Sequence, residues 1–223
     1  MTNLHILGTT LAGVVIGLAV KPACEFLCTN SPPKNVSDPM TAGHSGNPPQ
    51  TMIYLLSFVG MALWGAYTGW QTASLPVAAS ALVVTAVLLC IALVDFQVRR
   101  IPNALVLALL VWAAMQLVWL GQPEPLAAVA GVLMAGGLFL LLRLVSRGAM
   151  GMGDVKLEVA LGALLGFPAI VSAMFLGVIA GGLAAFVLLL MKRVGRKDPI
   201  AYGPYLALGA WIVLVQVWGL WPF

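Results

Sequence analysis

Charge is what this chain has least of. Eleven lysines and arginines and seven aspartates and glutamates are spread over 223 residues, so only 8% of the chain is charged. A water-soluble domain needs about a quarter of its residues charged to cover its surface, which excludes a soluble globular protein. Basic charge is absent altogether before the first apolar run, at residues 4–20. A cleavable signal peptide carries its positive charge ahead of the apolar stretch, so that reading is excluded too. Lys21 and Lys34 come afterwards, the order expected of an uncleaved first helix with its N-terminus outside. Metal ligands are also sparse. Cys24, Cys28 and His44 lie in the 21–50 segment and Cys90 falls in an apolar run, whereas a tetrahedral zinc site needs four ligands. No metal is expected.

Apolar residues fill the space: 61% of the chain, with a mean hydropathy of +1.03. They gather in runs at 4–20, 52–70, 76–94, 104–120, 126–142, 169–191 and 205–221. The runs are apolar all round rather than alternating, and backbone groups in lipid must be satisfied within their own segment. The expected fold class is therefore all-α, a polytopic integral membrane helix bundle, with residues 1–223 forming one membrane domain in the bilayer. Residues 21–50, rich in Pro, Ser, Gly and Asn, read as a short irregular loop.

The cations orient the bundle. Lys21, Lys34, Arg99, Arg100, Arg143, Arg147, Lys156, Lys192, Arg193, Arg196 and Lys197 are all eleven, and the turns at 71–76 and 121–125 hold none. Threading the runs alternately collects every cation on one face, which the positive-inside rule makes cytoplasmic. Lys156 and Lys192 then share a side, so the chain between them must enter and return. Gly166-Phe167-Pro168 interrupts it. A helix over 155–165 reaches about 16 Å, roughly half of a ~30 Å hydrocarbon core. This predicts a broken-helix hairpin with its break at mid-depth, and about eight membrane segments with both termini outside.

The seven acids are Glu25, Asp38, Asp95, Glu124, Asp154, Glu158 and Asp198. Glu25, Asp38, Glu124 and Asp198 fall in predicted loops and read as solvated charge. Asp95 ends an apolar run and Asp154 opens the short arm, both at the cytoplasmic mouth. Ionisable groups at such positions are costly and usually functional. Two carboxyl groups at one depth suit hydrolysis. Like charges a few Å apart do not both ionise, so the pair shares a proton; one partner activates water and the other polarises a carbonyl. The alternative is that each aspartate caps a helix or pairs with a nearby Arg or Lys.

Three motifs carry a resemblance. "GMGDVKL", at 151–157, resembles the G-x-G-D-x-K-L signature of the type IV prepilin peptidases, membrane aspartyl proteases of the GxGD class. "DFQVRRIPN", at 95–103, is similar to that family's first motif, an aspartate followed by a basic residue and Ile-Pro-Asn. "PIAYGPYLALGAW", at 199–211, is similar to its Gly-Pro segment opening the last helix. The resemblance implies that Asp95 and Asp154 are the catalytic pair of an aspartic endopeptidase in a bacterial inner membrane, facing the cytoplasm. It implies prepilin or pseudopilin substrates of a type IV pilus or type II secretion system, cut after the glycine of a short basic leader. It also marks Gly151, Gly153, Lys156, Arg99, Pro102, Asn103, Gly203 and Pro204 as site-shaping or substrate-binding residues. Gly151 and Gly153 permit the close approach a Cβ would forbid, or serve tight helix packing. Lys156, two residues from Asp154, does not face it on a helix and reads as an interfacial anchor or substrate contact.

Larger family members carry paired cysteine motifs linked to N-methylation between their first two helices. Residues 21–50 hold one pair, Cys24 and Cys28, so a short form without methyltransferase activity is expected. No cofactor and no nucleic-acid partner is expected; the partners are the substrate and the lipid bilayer. The competing reading is non-enzymatic, a cation- or proton-coupled transporter or an inactive assembly factor. A transporter favours acids near the midplane, often in paired repeats, whereas both aspartates here lie at one edge.

The topology is testable by single-cysteine labelling at Ser74, Gln122, Ser146 and Lys197 in intact cells. Ser74 and Gln122 should react with an impermeant reagent and the other two should not; external labelling of Ser146 or Lys197 would contradict the orientation.

Overall fold

A computed structural model describes residues 2–29, 50–72, 74–146, 150–191 and 201–220. Lys34, Asp38, His44, Arg147 and the basic cluster Lys192, Arg193, Arg196 and Lys197 lie outside the described residues. Among the described residues there are eight helices and no strand. They are α1 (Thr2–Thr29), α2 (Gln50–Gln71), α3 (Leu75–Val98), α4 (Asn103–Leu120), α5 (Pro125–Val145), α6 (Met152–Leu165), α7 (Ala169–Leu190) and α8 (Gly203–Val217). Five of them, α1 over His5–Cys28 and α3, α4, α5 and α7, are long and apolar enough to cross a membrane. Val118, Leu126, Leu133, Leu183 and Leu190 point outward, exposed, an arrangement suited to lipid and not to water. The chain is an all-α, polytopic membrane protein, as its composition anticipated.

The first helix differs from expectation. Residues 21–29 continue α1 through Pro22, where the sequence suggested that a loop begins. Proline is tolerated in membrane helices because other groups satisfy the freed carbonyl, and the polar turn supplies an i,i+4 pair, Lys21 Nζ to Glu25 Oε1 at 3.9 Å. Residues Met1–Ala86 form one compact unit. Within it α1 and α2 meet through two Gly-x-x-x-Gly runs, Gly13 to Gly17 and Gly65 to Gly69. A Cβ on Gly13 would strike the Met61 carbonyl oxygen, and one on Gly65 that of Thr9. Small residues at this spacing let membrane helices touch backbone to backbone.

Residues Val87–Phe223 form the second unit. Its axis is α6, which packs on α4, α5, α7 and α8 and buries Val155, Leu157, Glu158, Ala160, Leu161, Gly162, Leu164 and Leu165. Gly162 and Gly131 of α5 lie back to back: a Cβ on Gly162 would stand 2.5 Å from the Gly131 carbonyl oxygen. Farther along, Gly136 faces Val159, 2.6 Å from where a Cβ would sit. On the other side α8 lies against α7 at Gly177 and Gly181, whose added Cβ atoms would meet Leu206 and Tyr202 at 3.0 and 2.9 Å.

The broken hairpin is present: α6, Gly166-Phe167-Pro168, then α7. Its depth is a correction. The break stands beside the α4–α5 turn, at the far end of α6 from Asp154, and not halfway along the bundle. Phe167 N–H donates to the Ala127 carbonyl at 2.8 Å, and a Cβ on Gly166 would lie 2.6 Å from Pro123. Gln116 Nε2 reaches the carbonyls of Gln122 at 3.3 Å and Leu164 at 3.4 Å. The helix also begins earlier than expected, at Met152, so its 14 residues span about 21 Å. Enclosed by four helices, α6 has little lipid-facing surface to match to the bilayer, so a short helix suffices as a full arm.

Contact with backbone cannot be relieved by a rotamer change, so Gly162→Ala is expected to destabilise the detergent-solubilised protein by about 1–3 kcal/mol, the usual cost of overpacking. Gly137→Ala, with nothing within 4 Å of the new atom, should leave the thermal midpoint unchanged.

Candidate active site

Three segments of the second unit converge at one end of α6. The last turn of α3 carries Asp95, which is buried at 4% exposure. That turn closes through Arg99, whose N–H donates to the Asp95 carbonyl at 2.8 Å. Arg99 has φ of 52°, a left-handed ending usually given to glycine. It turns the chain sharply toward buried Pro102, the residue before α4.

The Asp95 side chain meets the start of α8. Gly203 N–H donates to Asp95 Oδ2 at 3.0 Å, a bond between buried groups. The first N–H groups of a helix have no partner within it and carry the positive end of its dipole, so a carboxylate there is well placed. Glycine is required at this spot: a Cβ would stand 2.6 Å from the same oxygen. Pro204 follows in the first turn of α8, where its missing N–H is no loss.

Asp154 lies in the first turn of α6. Its carboxyl group accepts a hydrogen bond from the backbone N–H of Gly151, the residue preceding the helix. An acid three positions into a helix commonly reaches back in this way. Gly151 also keeps the approach open, since its Cβ would lie 2.9 Å from Asp154 Oδ2. Gly153 serves packing instead: a Cβ there would be 3.2 Å from that of Ile101, so α6 sits directly against the segment following Asp95. Asp154 is the charged side chain that acts on Asp95 through space.

Each aspartate takes a backbone N–H at the start of a helix, and Asp154 acts on Asp95 through space. Lys156 is not part of that pair. It is exposed, and its Nζ donates to Asn103 Oδ1 at 2.9 Å, linking α6 to the start of α4 outside the acids. Arg143 on α5 donates to the Met150 carbonyl and so braces the chain just before Gly151. Of the other site residues named from sequence, Gly203 touches Asp95 and Gly151 touches Asp154, while Gly153 adjoins Asp154 in the chain; Arg99, Pro102, Asn103, Lys156 and Pro204 lie in the segments around them.

One acid was passed over. Glu158 is 1% exposed, and its Oε2 has no hydrogen-bond partner. The signal was available: an acid four residues beyond Asp154 shares its helix face. Among the described residues no group of three or more His, Cys, Asp or Glu is arranged to hold a metal ion. Cys24 is buried within α1 and Cys28 partly so.

Comparison with known proteins gives the geometry its context. Residues 82–186 match the type IV leader peptidase family. A prepilin leader peptidase/N-methyltransferase of Aeromonas salmonicida is 34% identical over 157 residues, covering 68% of this chain and 51% of that protein. Proteins of the same description from Pseudomonas aeruginosa (32% over 172 residues; 74% and 58% covered) and Neisseria gonorrhoeae (30% over 186 residues; 76% and 58% covered) are similar as well. The chain thus spans a little over half the length of these relatives. No solved structure matches it. Both Asp95 and Asp154 lie in the segment that matches the type IV leader peptidase family.

Proposed function

We propose that this chain is a prepilin or pseudopilin leader peptidase in which Asp95 and Asp154 are a catalytic dyad. The observation that carries the proposal is the meeting of two acids from separate motifs at one end of α6, each supplied with a backbone N–H, in a segment that matches this family. The substrate class follows from the description of its relatives as prepilin leader peptidases.

With one proton shared by the pair, the ionised carboxylate takes a proton from water as the water oxygen bonds to the scissile carbonyl carbon. The protonated partner donates a hydrogen bond to the carbonyl oxygen. Collapse of the tetrahedral species breaks the C–N bond, and the leaving amine takes its proton from the dyad, which regains its starting state. Gly151, which has no Cβ to stand against Asp154 Oδ2, leaves room for an extended peptide beside that carboxyl group. The basic residues Arg99, Arg100, Arg143 and Lys156 gather at the same end of this unit, which supports a cytoplasmic site under the positive-inside rule and hence cleavage of a leader on the cytoplasmic side of its apolar segment. The proposed activity is peptidase alone, since α1 carries Cys24 and Cys28 as parts of a packed helix rather than as an exposed ligand pair.

Asp95→Asn, Asp154→Asn and the double variant should each lower leader cleavage by at least about 10³-fold and to similar extents, because residues acting as one unit are non-additive. Cleavage by the unaltered protein should show an acid and a basic limb belonging to the pair. Glu124→Gln, a loop acid, should cleave normally. Mass spectrometry of the co-expressed substrate reads both the cut and the new N-terminus, expected unmethylated. Substantial cleavage by either single Asn variant would remove the aspartyl mechanism.

A further inference from the structure

Glu158 has no part in the chemistry above, yet it occupies the most enclosed helix of the second unit. It lies one turn beyond Asp154 on the same face, and helical side chains tilt toward the N-terminus, so its carboxyl group leans back over the Asp154 turn. Asp154 is the charged group that acts on it through space. Its own neighbours along α6, Val155, Leu157 and Leu161, are buried and apolar. A carboxyl oxygen withdrawn among such side chains without a donor is costly, and leucine of similar size would fill the place at no such cost. Buried polar groups of this kind usually bind an internal water or serve the site, and an internal water needs two or more polar partners.

We infer that Glu158 is a positioning residue of the active site, which holds the Asp154 carboxyl group facing Asp95 through one shared internal water. Asp154 is then fixed from two sides. Gly151 N–H bonds it from the N-terminal side, and the water held by Glu158 bonds it from within the bundle. Glu158 itself makes and breaks no covalent bond. The inference rests on the peptidase reading, and the experiment separates the two.

The test uses the purified full chain in detergent and a synthetic peptide with a basic leader, a glycine and an apolar helix. The Glu158→Leu variant removes the water's partner and fills the space. It should lower kcat at least about tenfold with KM unchanged, the pattern of a group that acts only on the reacting state, while its thermal midpoint rises. The Glu158→Gln variant keeps a polar end able to hold the water and should restore kcat to within about threefold of the unaltered protein. A Glu158→Leu variant that cleaves with the original kcat while Asp154→Asn is dead overturns this inference alone. One that loses stability and activity together also overturns it, since Glu158 would then be a structural residue. Normal cleavage by Asp154→Asn would instead overturn the aspartyl dyad on which this inference rests.

Discussion

A carboxyl group taken out of water needs donors where it comes to rest. Asp95 has one in the first N–H of α8, and the rest of the site depends on that bond. It requires glycine at 203, because any Cβ would collide with the carboxyl oxygen. It requires α8 to begin there, so that the N–H is unused by its own helix. It also requires the chain after Asp95 to leave abruptly, which Arg99 does in a left-handed conformation. The segment opening α8, distant in sequence from both acids, acquires its meaning from this one contact.

The second requirement is that Asp154 be brought to the same place. Here the agent is packing. Glycines at 131 and 162 allow α5 and α6 to touch backbone to backbone, and Gly153 seats the start of α6 on Ile101. Small-residue contacts of this type replace the hydrophobic driving force that helices lack in lipid. Because α6 is enclosed by α4, α5, α7 and α8, its register along the bundle is set by these contacts. The Asp154 end is braced by the Arg143 bond to Met150 and the Lys156 bond to Asn103; the other end is held by Gln116 and Phe167.

Much of this was legible in the sequence for physical reasons. Scarce charge and continuous apolar runs require membrane helices, and an aspartate at the end of such a run stands out. The hairpin around Gly166-Phe167-Pro168 was legible because proline and glycine interrupt helices. Its depth was not: an arm begun at Val155 falls short of a bilayer-matched length, whereas α6 begins at Met152 and, being enclosed, need not match the bilayer. The continuation of α1 through Pro22 was missed because a lysine and a proline together resemble a loop; only neighbouring structure decides that case. Glu158 belongs to no motif and stands one turn deeper than the helix mouth, so only its i,i+4 spacing from Asp154 marked it.

The central claim, that Asp95 and Asp154 act on the reacting carbonyl as one unit, is tested most directly by binding rather than turnover. A leader peptide whose scissile carbonyl is replaced by a hydroxyl-bearing tetrahedral carbon mimics the transition state, and such analogues bind at least about 10²-fold tighter than ground-state peptides. The account predicts that preference in the unaltered protein and its loss in both Asp95→Asn and Asp154→Asn, with affinity for the ground-state peptide retained. A preference that survives in either variant would contradict it.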